Sequence, residues 1–331
     1  MGIDVGGTKT NATVVDESGT FLVDRMVETP SCVTDGPEAA VAAIGAVMLL
    51  ALDIAGARRE MVRAVGLDTP GPATADGVIS VRGATNFAGP AWWGFDFRTA
   101  VEEHLGLPVI YNNDANAASL YAHERFFGVD AARRSSISAI VGTGLGGGVV
   151  ESGRVVKGAS GMAGELGHVH VPLDGILESD QPVPECNCGF RADAESVASL
   201  VGITRNLLPY WLTRYPDHPL AAMPVAAAAK AVRGYGERGD DMALSIFGQQ
   251  ADTIGRLFTI GANFTDPDAY FVGGGVTEAE PHFRDWFLDR VKAATTLRSE
   301  QAAIVDFAIV ADLDMAGSRG SALAALHAIR P

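Results

Sequence analysis

The chain opens Met1-Gly-Ile-Asp-Val-Gly-Gly-Thr-Lys-Thr10, and this run restricts its architecture more than any other stretch. Ile3 to Val5 is a short apolar strand that carries one acid, Asp4, and turns at Gly6-Gly7. Without a Cβ, those glycines let backbone N–H groups approach an anion closely. Thr8 and Thr10 add hydroxyl donors, and Lys9 stands between them. Asp4 repels a phosphate directly but can meet one through Mg²⁺, which takes carboxylate, phosphate and water oxygens. The run reads as a hairpin for phosphate and magnesium. It fits neither G-x-x-x-x-G-K-[ST] nor a G-x-G-x-x-G that opens a helix. An ordinary hairpin turn is the other use for the same residues.

At 331 residues the chain has room for one large or two medium domains. Forty acidic residues against 25 basic ones give a net charge of −15. That disfavours nucleic acid and anionic membrane surfaces as partners. An anionic nucleotide can still bind where glycine loops and Mg²⁺ supply a local positive field. The cysteines are Cys32, Cys186 and Cys188; two of them are one residue apart, a poor spacing for a structural disulfide, so a reducing compartment, the cytoplasm, is expected. No signal peptide is visible. The most apolar stretch, Ala39 to Ala57, is interrupted by Asp53 and reads as a buried helix.

Three strands are expected at Met1–Val5, Ala12–Asp16 and Phe21–Glu28, joined by short turns and therefore antiparallel. A βαβ arrangement follows, with a helix over Glu38–Ala55, strands at Val62–Leu67 and Val109–Tyr111, and a helix over Ala115–Phe127. Ser136–Val141 and the glycines after it then repeat the opening device of strand, Gly/Thr turn and strand. This is a duplication of architecture, not of sequence. The remainder reads as largely helical, with a strand at Ala269–Val272.

Four constellations carry chemistry. Asn112-Asn113-Asp114 stands at the carboxyl end of a strand, where ligands of α/β sheets bind. Asp114 is the general-base candidate for an attacking hydroxyl, with helix capping as its other use. Asn113 offers a donor and an acceptor to a sugar hydroxyl. Gly142-Thr143-Gly144 with Gly146–Gly148 is a second phosphate turn, or a tight hairpin. Gly273-Gly274-Gly275 would let a flat base or ribose lie against bare backbone. His168, Cys186, Cys188 and an acid, Asp193, can form a tetrahedral Zn²⁺ site, and Glu165 and Glu195 beside them suit the vicinal hydroxyls of a sugar.

Together these motifs resemble the ROK family of sugar kinases and sugar-responsive repressors, within the hexokinase/actin-type superfamily. The resemblance spans the chain. It rests on Asp4-Val-Gly-Gly-Thr-Lys-Thr10, Gly83-Ala-Thr-Asn-Phe87 with Trp93-Gly94, Asn113-Asp114-Ala-Asn116, Gly142–Gly148, Gly164-Glu-Leu-Gly-His168 through Cys186-x-Cys188-Gly to Glu195, and Gly273–Gly275. It implies an α/β, two-lobed actin-like ATPase (ribonuclease-H-like) fold with the active site between the lobes: a smaller lobe from 1–114 with 313–331, and a larger one from 115–312. It implies ATP-dependent phosphorylation of a hexose 6-hydroxyl, most simply a glucokinase, with Asp114 as base. Asn86, Asn113, Glu165, His168 and Glu195 become sugar contacts, and His168 also a zinc ligand. A homodimer is the family's assembly. The competing reading is a catalytically silent sugar sensor or regulator of the same family; a repressor would need a DNA-binding segment before the first strand.

Two departures stand out. Where the family's third cysteine falls, this chain has Asp193. The gap from His168 to Cys186 is also longer than the family's, adding the stretch around Leu173–Glu185. Carboxylate oxygen ligates Zn²⁺ at about 2.0–2.2 Å, so a His-Cys-Cys-Asp site is one outcome, with His170 in reserve, and loss of the metal is the competing one. The residues leave open which hexose fits and whether polyphosphate serves as donor.

Overall fold

A computed structural model describes residues 1–80, 87–310 and 315–330. Its contacts divide the chain into two units: Met1–Arg133 with Gly148–Gly164 and Asp312–Pro331, and Arg134–Gly147 with Glu165–Ala311.

The first unit is built on a five-stranded sheet: β1 Gly2–Val5, β2 Lys9–Thr13, β3 Glu28–Pro30, β4 Val65–Thr69 and β5 Val109–Asn113, in the order β3-β2-β1-β4-β5. The β1–β2 and β2–β3 pairs are antiparallel, and β1–β4 and β4–β5 parallel. Its helices are α1 Pro37–Ala55, α2 Phe97–Leu105, α3 Asp114–Phe127 and, late in the chain, the helix over Ala316–Ile329. The strand β2 starts three residues earlier than the alternation suggests, and β3 lies beyond Phe21–Val27. The cause is local. The Asp16 carboxylate accepts from Ser18 N (2.8 Å), Thr20 N (3.0 Å) and Ser18 Oγ (2.6 Å), and this turn bends the chain before pairing resumes.

By length and apolar composition α1 passes as a membrane span. Here its stripe of Ala40, Ile44, Val47, Met48 and Ala51 is buried in the core of the sheet's unit, with Ile3, Val5 and Leu67. Burying such side chains stabilises by about 1.5–3 kcal/mol each. Trp92 anchors the far end of this core: its ring meets Phe87 at 4.7 Å and Phe97 at 5.2 Å, and its indole N–H donates to Val33 O at 2.9 Å.

The second sheet contains β6 Ser136–Val141, β7 Leu145–Glu151, β8 Arg154–Val155, β9 Ala269–Gly274 and β10 Asp306–Ile309, in the order β10-β9-β6-β7-β8. Read from β8, it repeats the strand order of the first sheet, so the expected duplication of architecture is present. The accompanying helices are α4 Leu200–Gly202, α5 Leu208–Arg214, α6 Val225–Gly236, α7 Asp241–Thr265, α8 Pro281–Ala294 and α9 Ser299–Ala302; Ala316–Ile329 is then α10. Phe258, Tyr270, Phe271, Phe283 and Phe287 are buried in this unit.

The first unit runs on through α3 to Arg133. The reason is α10. A Cβ on Gly320 would lie 1.8 Å from Ala117 O, and one on Gly66 would lie 1.8 Å from Ser321 O. Bare backbone therefore lets α10 rest directly on α3 and on β4, which keeps α3 with the N-terminal strands.

Candidate active site

In the first unit, Asp4, Asp68 and Asn113-Asp114 stand at the carboxyl ends of β1, β4 and β5, three neighbouring parallel strands. Asp4 and Asp68 are register partners. Asp68 is fully buried; its Oδ2 accepts from Ser321 Oγ at 2.6 Å, while its Oδ1 has no donor. Burial, and then the charge of Asp4, push the Asp68 carboxyl well above the usual carboxylate range. Burial also raises Asp4, and its hydrogen bond with Asp68 works the other way. Gly317 allows this arrangement: a Cβ there would sit 2.8 Å from Asp4 Oδ2. Asp68 escaped the sequence reading. Its signal was an acid closing a buried apolar strand, as Asp4 does.

Asn113, not Asp114, caps α3. Its Oδ1 accepts from Ala115 N at 2.9 Å and Asn116 N at 3.4 Å. Asp114 occupies the first helical position, half-buried, and its Oδ1 accepts from Ala115 N at 2.7 Å. The capping use expected of Asp114 thus belongs mainly to its neighbour.

The first turn closes through Gly6 N donating to Lys9 O at 2.9 Å. Neither Gly6 nor Gly7 has positive φ, so the turn itself does not demand glycine there. Thr8 is exposed, whereas Thr10 is buried with its hydroxyl unpartnered. Lys9 forms an ion pair with Glu28. Asn86 lies outside the described residues.

In the second unit, Val141 and Gly274 are register partners on parallel β6 and β9. The second phosphate turn and Gly273–Gly275 therefore begin at one carboxyl edge of the sheet. Gly274 has φ 90°, and a Cβ would lie 2.0 Å from Val141 O, so only glycine fits. Arg233 Nη1 donates to Gly275 O at 2.7 Å. Thr143 is exposed on its turn. Gly144 has no positive φ; a Cβ there would meet Glu195 Oε2 at 2.5 Å.

The structure gathers His168, Cys186, Cys188 and Asp193, whose ligand atoms all lie within 4.8 Å of one another. His168 Nδ1 is 3.2 Å from Asp193 Oδ2, 3.6 Å from Cys188 Sγ and 4.0 Å from Cys186 Sγ. A tetrahedral Zn²⁺ site has edges of about 3.3 Å between nitrogen and oxygen, about 3.5 Å between either and sulfur, and about 3.8 Å between sulfurs. The His168–Asp193 and His168–Cys188 separations match these edges; His168–Cys186 is about 0.5 Å long, and the two sulfurs, 3.1 Å apart, would have to open by about 0.7 Å. Asp193 is fully buried. Burial opposes its charge, but hydrogen bonds from His168 and Ser196 N hold it below the usual range. Donating to the Asp193 carboxylate in turn raises His168 to about 9. Burial pushes the Cys186 thiol up; a divalent cation reverses that cost by favouring thiolate. The donor set thus suits zinc, with Asp193 in the cysteine's place. His170 is not in the cluster; its ring lies 5.7 Å from that of Phe190. Glu165 is exposed at the start of the short helical turn Leu166–His168.

Two five-stranded sheets of matching order, with acids at the carboxyl edge of one and glycine turns at the edge of the other, belong to the actin-like ATPase fold. The sequence matches the ROK family over residues 1–328, and the chain belongs to that family. It is similar to a glucokinase of Thermotoga maritima, with 31% identity covering 84% of this chain and 82% of that one. It is similar to an N-acetyl-D-glucosamine kinase of Citrobacter koseri, with 30% identity covering 83% and 84%. Among solved structures it resembles a ROK family glucokinase from Streptomyces griseus in complex with glucose and AMPPNP, with TM-score 0.70, 29% identity, and 98% of both chains covered.

Proposed function

We propose that this chain is an ATP-dependent hexose kinase that phosphorylates the 6-hydroxyl of glucose or a closely related hexose. The observation that carries the reading is Asp114: a carboxylate at the first position of α3, with the cap supplied by Asn113. In this reading the hexose 6-hydroxyl approaches Asp114, which takes its proton as the oxygen attacks the γ-phosphorus. The bond from phosphorus to the β-bridging oxygen breaks, and ADP leaves with the electron pair. Thr8, Thr143 and the glycine backbones donate to phosphate oxygens, and Gly273–Gly275 accommodates the nucleoside. Asp4 would hold Mg²⁺ directly or through water, where the cation would neutralise charge on the β- and γ-phosphates. His168, Cys186, Cys188 and Asp193 would hold a structural Zn²⁺ that orders the segment bearing Glu165, His168 and Glu195 for the sugar. Assigning both sets of residues to one reaction rests on the chain's family membership.

The glucokinase likeness favours glucose over its 2-acetamido derivative. Placement in the cytoplasm and assembly as a homodimer extend the same reading; the three cysteines are free thiols. The test is a coupled ADP-release assay with MgATP over glucose, mannose, fructose, N-acetylglucosamine and N-acetylmannosamine. Turnover highest with glucose is expected. Preference for an acetamido sugar overturns the substrate assignment, and sugar binding without turnover on the whole panel establishes the silent sensor instead.

A further inference from the structure

Glu195 is expected beside the sugar, yet both of its oxygens are engaged within its own unit. Oε2 accepts from Leu145 N, in the second phosphate turn, at 2.9 Å. Oε1 lies 3.3 Å from Cys186 Sγ, in the metal-type cluster. The contact is built into the backbone on both sides. A Cβ on Gly144 would lie 2.5 Å from Oε2, so the bare backbone here lets the carboxylate come close to the turn. Gly167, next to His168, would place a Cβ 2.3 Å from Leu145 O, and its own carbonyl accepts from Glu195 N at 2.8 Å.

The segment after Glu195 continues the brace. Leu200 N donates to Gly142 O at 3.0 Å and Val201 N to Thr143 O at 3.1 Å. Ser199 Oγ donates to Glu195 O at 2.7 Å and accepts from Gly202 N at 2.8 Å. Three backbone groups of the turn are therefore held by residues 195–201, whose other end is anchored through Asp193 and Cys186.

We infer that Glu195 is a positioning residue that ties the His168–Cys186–Cys188–Asp193 cluster to the turn Gly142–Leu145, so that damage to the cluster weakens nucleotide binding as well as sugar binding. This rests on the reading of that turn as a phosphate site. Glu195 sets the turn's shape by accepting from Leu145 N, and its own backbone is held by Gly167 O beside His168 and by its nearness in the chain to Asp193. A role confined to the sugar would leave nucleotide affinity unmoved.

The test is a double-mutant cycle on the Kd of the Mg²⁺ complex of a non-hydrolysable ATP analogue, without sugar. Glu195→Ala is expected to weaken binding by about tenfold, the cost of losing a hydrogen bond to a charged acceptor. Glu195→Gln, whose amide oxygen still accepts from Leu145 N, should remain within about threefold of wild type. Cys186→Ala should weaken binding alone but add less than about twofold on top of Glu195→Ala, since the two act in series. Unchanged affinity in Glu195→Ala, or additive effects of the two substitutions, overturns the inference. Hydrogen–deuterium exchange over residues 142–148 gives a second readout that needs no nucleotide: it should rise in Cys186→Ala, and unchanged exchange overturns the bridge even if Glu195→Ala fails to fold. Wild-type protein that does not bind the analogue refutes the phosphate reading, and the exchange measurement still decides the bridge.

Discussion

Asp4 and Asp68 face each other across adjacent parallel strands, and Asp68, fully buried, receives Ser321 Oγ on Oδ2 and has no donor on Oδ1. Two carboxylates so close do not both ionise easily; one retains its proton and donates to the other. Asp68, the more buried, is that one.

This fixes a pH dependence. A group with a raised folded pKa contributes stability fully below its unfolded value, here 3.8, and loses it as pH rises through the folded value. Asp68→Asn keeps the acceptor for Ser321 and cannot ionise. In magnesium-free buffer, the Tm of Asp68→Asn relative to wild type should therefore climb as pH increases above about 4. A difference that stays constant with pH means that Asp68 is not the protonated partner.

Asp114→Asn should lower kcat by about 10²–10⁴ and leave sugar binding nearly intact. Because Asn113 supplies the cap, stability should fall by no more than about 1 kcal/mol, the worth of an acid near a helix N-terminus. Steady-state kinetics with thermal unfolding separates the two effects. A loss of activity under about threefold removes Asp114 from the base role.

Purified without chelator, the protein should carry about one Zn²⁺ per chain, held by His168, Cys186, Cys188 and Asp193. Carboxylate is a harder, weaker donor than thiolate, so Asp193→Cys should slow metal loss to a competing chelator by about tenfold or more. Elemental analysis and a chromogenic chelator measure this. Less than about 0.2 Zn²⁺ per chain with full activity would show that the cluster works without metal.

Gly320→Ala should destabilise the first unit by about 1–3 kcal/mol or prevent folding, because its Cβ would lie 1.8 Å from Ala117 O. An unchanged Tm would mean that α10 can slide off α3 at no cost.

The order of strands was legible because local pattern and turn chemistry agree with the fold along most of the chain. Ser136–Val141 is read from its sequence with the bounds the structure gives, and the doubled hairpin device follows from the two Gly/Thr turns. The misplacements have local causes. The strand expected at Phe21–Glu28 is displaced by the Asp16 turn, whose three hydrogen bonds depend on side-chain geometry that periodicity does not report. Of the second turn's glycines, none takes positive φ. A Cβ on Gly144 would meet Glu195, and one on Gly147 would meet Leu166 and the Ser138 carbonyl, contacts formed with residues distant in sequence.

By itself the sequence determined the chemistry carried on each local segment: the acid before the first glycine pair, Asn113-Asp114 before a helix, Cys186-x-Cys188, and the order in which they occur. Those follow from residue type and short spacing, which local physics reads. Tertiary structure alone decided which of them meet. Only strand register set Asp68 against Asp4, only the approach of α10 joined α3 to the first sheet, and only the return of residues 193–201 placed Glu195 between Cys186 and Leu145. Each of these pairings closes a long stretch of chain, and its energy comes from burial and close packing between elements that no window of sequence contains together.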